Sequence, residues 1–315
     1  MPHSPAPRRR EARELDPDAF DGDLIRALQE DGRASINDLA ARLGVSRDFV
    51  SQRLRLLTEQ EGLRVVAALD PGFAGHHVLV HATLDVDGPA APVAALLARL
   101  PDTVLVSLVS GSSPLVFESR HGDVSELHEM LDQVRAIPSV RQLRVTTYVE
   151  VLKGFFVAHS RDDMALDRMD YELIAILQAN GRTSYRELSD AVHLSPSSVR
   201  ARVHKLIEGG VIRISAIKAG GLSRNRLAIG VGISARDDVA TIRDYITASP
   251  AIDFAARTHG NHDFIATIVG TSSTAVLRVI EELRALPEVG SLESWAHLDI
   301  VKEDYTRTLG RIVGE

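Results

Sequence analysis

Apolar residues recur near the start of the chain with the 3.6-residue period of amphipathic helices. Phe20, Leu24, Ile25 and Leu28 form one stripe over 20–30, Leu39 and Leu43 mark a second, shorter helix, and Val50, Leu54 and Leu57 share one face of a third over 47–60. Ser35 and Ser46 stand where a side-chain oxygen caps the second and third helices, and Gly32 and Gly44 read as helix stops. From about residue 76 the period falls to about two. The alternation predicts strand 76–86, helix 91–100, strands 103–110 and 114–120, helix 123–136 and strand 140–151.

The pattern then repeats. A shift of 149 residues lays 20–154 on 169–303 without a gap, and 15 of the 45 positions in 20–64 are identical to their counterparts, against roughly 6% expected by chance. In the second copy Ser184 and Ser195-Pro196 punctuate the helices, since proline at the first helical position gives up no needed donor. Strands 226–234, 251–259, 262–269 and 290–301 and helices 238–248 and 272–285 follow. The fold class predicted is α+β, a winged-type helix-turn-helix domain followed by a ferredoxin-like βαββαβ domain, the pair repeated twice. The boundaries expected are a disordered basic tail over 1–14, helix-turn-helix domains over 15–66 and 165–214, ferredoxin-like domains over 67–158 and 215–315, and a linker over 159–164. Each sheet should leave one apolar face open, and the duplicate module is the expected partner for it.

Composition narrows the chemistry. Of 315 residues 44% are hydrophobic and none is cysteine, which excludes disulfides, thiolate metal sites and a cysteine nucleophile. The apolar runs are of strand length, so the expectation is a cytoplasmic protein with no membrane partner. The net charge of −7 argues against polyanion binding by the whole surface but permits local basic patches. His76, His77 and His81 cluster on one strand, and His259 and His262 flank Gly260. No carboxylate falls at a spacing that completes a metal site, so these histidines read as structural. No catalytic residue, metal or cofactor is expected.

Two short helices joined by a tight turn, the second opening on a small polar cap and carrying arginines, suit double-stranded DNA. A helix amino terminus favours phosphate because its free amides point outward. The candidate contacts are Arg47, Ser51, Gln52, Arg53 and Arg55 in the first copy, and Ser195, Ser197, Ser198, Arg200, Arg202 and Lys205 in the second. Arg202 is expected near a phosphate. Asp48 and Phe49 suit a phosphate backbone poorly, so the two readers should differ.

The run LDRMDYELIAILQANGRTSYRELSDAVHLSPSSVRARVHKLIEGGVIR closely resembles the amino-terminal domain of the Lrp/AsnC (feast/famine) transcription regulators, and 15–64 is a more diverged version. The βαββαβ units resemble that family's sensing domain, so the chain looks like a fused pair. The resemblance implies a small-molecule effector such as an amino acid, held at the glycine turn between the second and third strands of each unit. In the second copy this turn supplies Thr258, Gly260, Asn261, His262 and Asp263, with Asp263 suited to an ammonium group. In the first copy it supplies Gly111, Ser112 and Ser113, but Pro114 stands where the family often has aspartate. The resemblance also implies pairing of the sensing domains within the chain and a homo-oligomer. The alternative is an enzyme: sirohaem decarboxylases resemble the same architecture, and Arg257, His259 and His262 would then serve a tetrapyrrole.

Overall fold

A computed structural model describes residues 17–154, 164–218 and 227–303. The expected tail, and the expected linker except Met164, lie outside the described residues. The first copy holds α1 (Pro17–Glu30), α2 (Ile36–Leu43), α3 (Arg47–Gln60), β1 (Leu63–Leu69), β2 (Val78–Val86), α4 (Ala91–Leu97), β3 (Thr103–Val109), β4 (Leu115–His121), α5 (Val124–Arg135) and β5 (Val140–Lys153). The second copy holds α6 (Arg168–Ala179), α7 (Tyr185–Val192), α8 (Pro196–Glu208), β6 (Ile212–Lys218), β7 (Leu227–Ala235), α9 (Val239–Ala248), β8 (Ile252–His259), β9 (Phe264–Gly270), α10 (Ser273–Arg284) and β10 (Val289–Glu303). These elements form two compact units, each built from both copies: 17–68 with 164–218, and 69–154 with 227–303.

In the helical unit each trio buries its apolar stripe, with Leu24, Leu28, Leu39, Val50 and Leu57 in one copy and Leu173, Leu177, Leu188, Val199 and Leu206 in the other. Burying a side chain of this size stabilises by about 1.5–3 kcal/mol. The serines cap as their positions suggest. Ser35, Ser46, Ser184 and Ser195 accept from the amides of Asp38, Phe49, Glu187 and Ser198 at 3.1–3.2 Å. Glu187 reaches back to the Ser184 amide at 2.9 Å to complete a capping box.

Two strands went unread in the sequence. β1 and β6 pair with each other to form a two-stranded sheet. All residues of β1 but Arg64 are buried, so the strand shows a continuous apolar run instead of an alternation. Around this sheet the copies interlock reciprocally. The Gly32 amide donates to Ile214 O (3.2 Å), and the equivalent Gly181 amide donates to Val65 O (2.8 Å). Arg33 donates to Gly181 O and Thr183 O (2.7 and 2.9 Å), while Arg182 donates to Gly32 O and Ala34 O (2.8 and 3.0 Å). Burial, and then the Arg33 charge, lower the pKa of Arg182. The contact has the self-complementary form of a two-fold dimer interface, here within one chain.

Gly32 is therefore more than a helix stop. A Cβ there would lie 2.7 Å from Ile214 O, and one on Gly181 would lie 3.1 Å from Val66 C and 3.2 Å from Val65 O of the first copy, besides 2.7 Å from Ile214 Cγ2 of its own. Neither glycine has positive φ. What glycine permits at both places is the close approach of the other copy's strand.

In the second unit eight antiparallel strands close into a barrel in the order β10-β3-β4-β2-β5-β8-β9-β7. Each copy supplies four strands in equivalent order. Two seams join them, with β5 paired to β8 (Tyr148 opposite Thr258) and β10 paired to β3 (His297 opposite Val109). Closure leaves no free sheet edge. Outside the barrel α4 and α5 cover a core of Val80, Leu84, Leu97, Phe117 and Met130, and α9 and α10 cover one of Val231, Ile246, Phe264, Ile268 and Leu283.

The helix-free faces of the two copies meet inside the barrel and line its interior. Val109, Val116, Ile265 and Trp295 cluster there with Tyr148 and Phe254. Polar residues share the space, because the inner positions of β2 and β4 include His81 and Glu118.

Candidate DNA interface and effector turns

The exposed residues of α3 and α8 carry most of the candidate DNA chemistry. Arg47, Ser51, Gln52 and Arg55 are exposed, as are Ser195, Ser197, Ser198, Arg200 and Lys205. At the start of α8 the Ser195 hydroxyl lies 2.9 Å from Ser197 Oγ and 2.8 Å from Ser198 Oγ, which gathers three hydroxyls at the amino-terminal turn. The start of α3 offers Arg47 and Asp48 instead, so the two helices present unlike chemistry.

Two of the predicted contacts have another role. Arg53 donates through Nε to Asp21 (2.9 Å) and through Nη2 to the same carboxylate. Its equivalent Arg202 donates through Nη1 to Asp167 and Asp170, both at 2.8 Å. In each copy the arginine ties the third helix to the start of the first, so Arg53 and Arg202 set the pose of the helix and their charge is already matched. The hydrogen bonds and charges of Asp170 and Asp167 raise the pKa of Arg202. Asp167 is lowered, first by the Asp170 amide and then by Arg202. Phe49, read as facing outward, packs edge-on against the buried Phe20 with ring centroids 4.9 Å apart.

The glycine turns have a structural reason of their own. Gly111 and Gly260 adopt φ of 111° and 139°, where side chains are strained. Each turn packs on the last strand of the other copy. A Cβ on Gly260 would lie 3.0 Å from Thr146 Cα, and one on Gly111 would lie 3.8 Å from Trp295 Cβ, Trp295 being the equivalent of Thr146. Close packing at the seam thus calls for glycine at 260, whereas at 111 only the φ does.

The remaining effector candidates are partly engaged as well. Thr258 Oγ1 donates to His262 O (2.5 Å), and Asp263 accepts the Ala235 amide (2.8 Å), so this carboxylate is not reserved for an ammonium group. His262 turns inward over Gly232, with Nε2 3.5 Å from Glu293. Burial lowers its pKa, and the charge of His81 adds to the effect. Ser112 donates to Glu293 (3.2 Å). Ser113 is buried, donating to Asp85 (2.6 Å) and accepting from Arg144 (2.9 Å). Asn261 is exposed, as are Arg257 and His259. A groove of about 410 Å³, lined by residues including Ser110, Ile229, Thr274, Leu277 and Ser294, runs beside the first turn.

Sequence spacing could not reveal the polar group inside the barrel. Tyr148 donates to Glu118 (2.7 Å), His81 Nδ1 lies 3.9 Å from the same carboxylate, and Ser107 lies 3.0 Å from His297 Nδ1. Burial works to raise the pKa of Glu118, but His81, the Tyr148 hydroxyl and the Arg120 charge together bring it below its ordinary value. Burial, aided by His81, pushes His297 down to about 4. The available signal was polar alternation on β2 and β4, in His81, Asp85 and Glu118.

Comparison with known proteins decides what the helices are. The AsnC-type helix-turn-helix domain matches twice, over residues 18–58 and 166–207, and the Lrp/AsnC ligand binding domain matches over 227–307. An uncharacterised HTH-type transcriptional regulator of Pyrococcus abyssi is 30% identical over 158 residues, spanning 48% of this chain and 97% of its own length. The chain belongs to the Lrp/AsnC family of transcription regulators. Another relative in the Lrp/AsnC comparison, the HTH-type transcriptional regulator LysM of Saccharolobus solfataricus, is 27% identical over 39% of this chain and 87% of its own. Both relatives match less than half of this Lrp/AsnC chain, as its duplication requires. A solved structure of similar overall fold is the siroheme decarboxylase NirDL, with a TM-score of 0.61 covering 90% of this chain and 93% of that one at 14% identity, a likeness of fold alone. No helix among the described residues is long and apolar enough to cross a membrane.

Proposed function

We propose that this Lrp/AsnC regulator reads an asymmetric DNA site with two unlike helices, α3 and α8, held as a fixed pair. We take each four-stranded half of the barrel as a ferredoxin-like sensing domain, a reading supported by its strand order, and the site of action as the cytoplasm. The observation that carries the proposal is the reciprocal interlock of Arg33 and Arg182, which joins the two readers in one unit. Identical half-sites match identical readers, whereas Arg47 and Arg55 on one side and Ser197, Arg200 and Lys205 on the other call for two different ones. The barrel takes a small effector such as an amino acid at its glycine turns. The family match over 227–307 and the groove beside Ser110 support this.

Fluorescence anisotropy on duplex DNA from upstream of the protein's own gene, at several salt concentrations, tests the DNA reading beside an Arg200→Ala/Lys205→Ala variant. Salt-sensitive binding weakened in the variant is expected. Binding no tighter than to competitor DNA would count against it. Thermal shift with the standard amino acids tests the effector, for which a rise in one transition is expected.

A further inference from the structure

The two readers differ in how an arginine is held. In the second copy the Arg200 guanidinium lies over the Tyr185 ring, 5.9 Å from its centroid, and the Arg33 guanidinium lies over the same ring at 4.5 Å. Tyr185 opens α7, Arg200 lies in the exposed second turn of α8, and Arg33 comes from the first copy. Arg33 is itself fixed by its bonds to Gly181 O and Thr183 O, the second of which lies two residues before Tyr185. The first copy has no equivalent: Ile36 stands in the place of Tyr185 and Ser51 in the place of Arg200.

The geometry points to Tyr185 as a positioning residue for sequence readout, holding Arg200 so that the second helix presents a preset guanidinium to a guanine edge. This rests on the reading of α8 as a DNA-reading helix. Arginine is the side chain whose planar fork matches guanine O6 and N7 together, and that match depends on orientation. An aromatic face restricts the orientation of a guanidinium while leaving its N–H groups free to donate. Because Arg33 braces the ring from the other copy, the brace depends on both copies being joined. Discrimination of guanine is thus concentrated in the second reader, and the first contributes through Arg47, Gln52 and Arg55 without such a brace.

The test uses a duplex selected from a randomised pool by the full chain, together with single-base-pair replacements of it. Affinities are measured for the wild type, Arg200→Ala, Tyr185→Leu and Tyr185→Phe, alongside thermal unfolding. Arg200→Ala should erase the preference at one guanine position by about tenfold or more. Tyr185→Leu should weaken preference at that same position by about three- to fivefold, the scale of an exposed cation–π contact, with affinity for unrelated duplexes unchanged and the chain still folded, its midpoint lowered only by the lost Arg33 contact. Tyr185→Phe should keep the preference. An unaltered preference in Tyr185→Leu, or an equal loss on every duplex, would overturn the assignment while leaving α8 as a DNA-reading helix. A wild-type chain that enriches no duplex would overturn both.

Discussion

Arg33 takes its two acceptors from the turn that carries Arg182, and Arg182 takes its own from the turn that carries Arg33. Each guanidinium bonds the carbonyls flanking the other, so separating the copies would take these acceptors from both arginines. The glycine before each arginine completes the contact.

Gly32→Ala should therefore lower the stability of the helical unit by about 1–3 kcal/mol, because the new methyl would meet a backbone oxygen that has little room to move. Gly22→Ala is the control. Nothing lies within 4 Å of a Cβ at Gly22, and alanine there should be neutral or stabilising by about 0.5–1 kcal/mol. Denaturant unfolding of the two variants measures the difference, and equal stability would remove the interlock as a stabilising contact.

The arginines of the third helices should divide into two classes. Arg53→Ala leaves the mostly buried Asp21 carboxylate short of its partner and should cost about 1–3 kcal/mol of stability. Arg202→Ala should cost less, roughly 1 kcal/mol or below, since that cluster is more exposed. Arg47→Ala, Arg55→Ala and Lys205→Ala should leave unfolding unchanged. Each should make DNA binding less salt-dependent, by about 0.9 in slope for every phosphate that the variant no longer neutralises. Thermal unfolding beside salt-titrated anisotropy reads both classes at once.

At the effector turn, structure and ligand binding can be separated. Gly260→Ala places a methyl 3.0 Å from Thr146 Cα at a φ of 139°, and should destabilise the barrel by about 1–3 kcal/mol. Asn261 is exposed, so Asn261→Ala should leave the unfolding midpoint unchanged and alter only a ligand-induced thermal shift. If Gly260→Ala unfolds like the wild type, the seam does not need glycine.

Acid should weaken the barrel through His297. Its folded pKa, about 4, lies below the ordinary 6.5. Between these values the unfolded chain binds the proton and the folded chain does not, so this contribution is complete above pH 6.5 and is lost progressively as pH falls toward 4. His297→Asn, which keeps a side chain able to hydrogen-bond near Ser107, should flatten the dependence of the barrel's midpoint over that window. An unchanged slope across pH 4–6.5 would assign the acid sensitivity to other groups.

What was legible in the sequence was local. Serine caps announce themselves because a cap bonds three residues ahead, and alternation reveals β2, β4 and their equivalents because one face of each packs against helices. Pairings between distant residues were hidden. Asp21 and Arg53 are 32 residues apart, and nothing in the spacing marks them as partners. Gly32 looked like a helix stop because helices do end at glycines, and only the position of Ile214 reveals the second reason. β1 escaped because burial on both sides erases alternation, whereas β6 keeps a short alternation over Ile212-Arg213-Ile214-Ser215 that directly follows the third helix. Of the residues meeting inside the barrel, Glu118 and Tyr148 stand on β4 and β5, which flank β2, and His81 and Trp295 come from different copies, so the strand order and the joining of the copies bring them together and spacing does not.

Trp295 fills the barrel interior next to His81, and its indole lies over Gly230, where a Cβ would be 2.1 Å from Nε1. By equivalent position, Gly230 matches His81 and Trp295 matches Thr146. A subunit that pairs with itself cannot hold such a mixture: two second copies would bring two indoles to the axis, and two first copies would bring none. Covalent fusion frees each half of a symmetric pair to evolve alone, so Trp295 can lie over Gly230 of its own copy while it stands beside His81 of the other. The tandem chain is, in effect, a heterodimer whose stoichiometry cannot drift and whose wrong pairings are disfavoured by the tether.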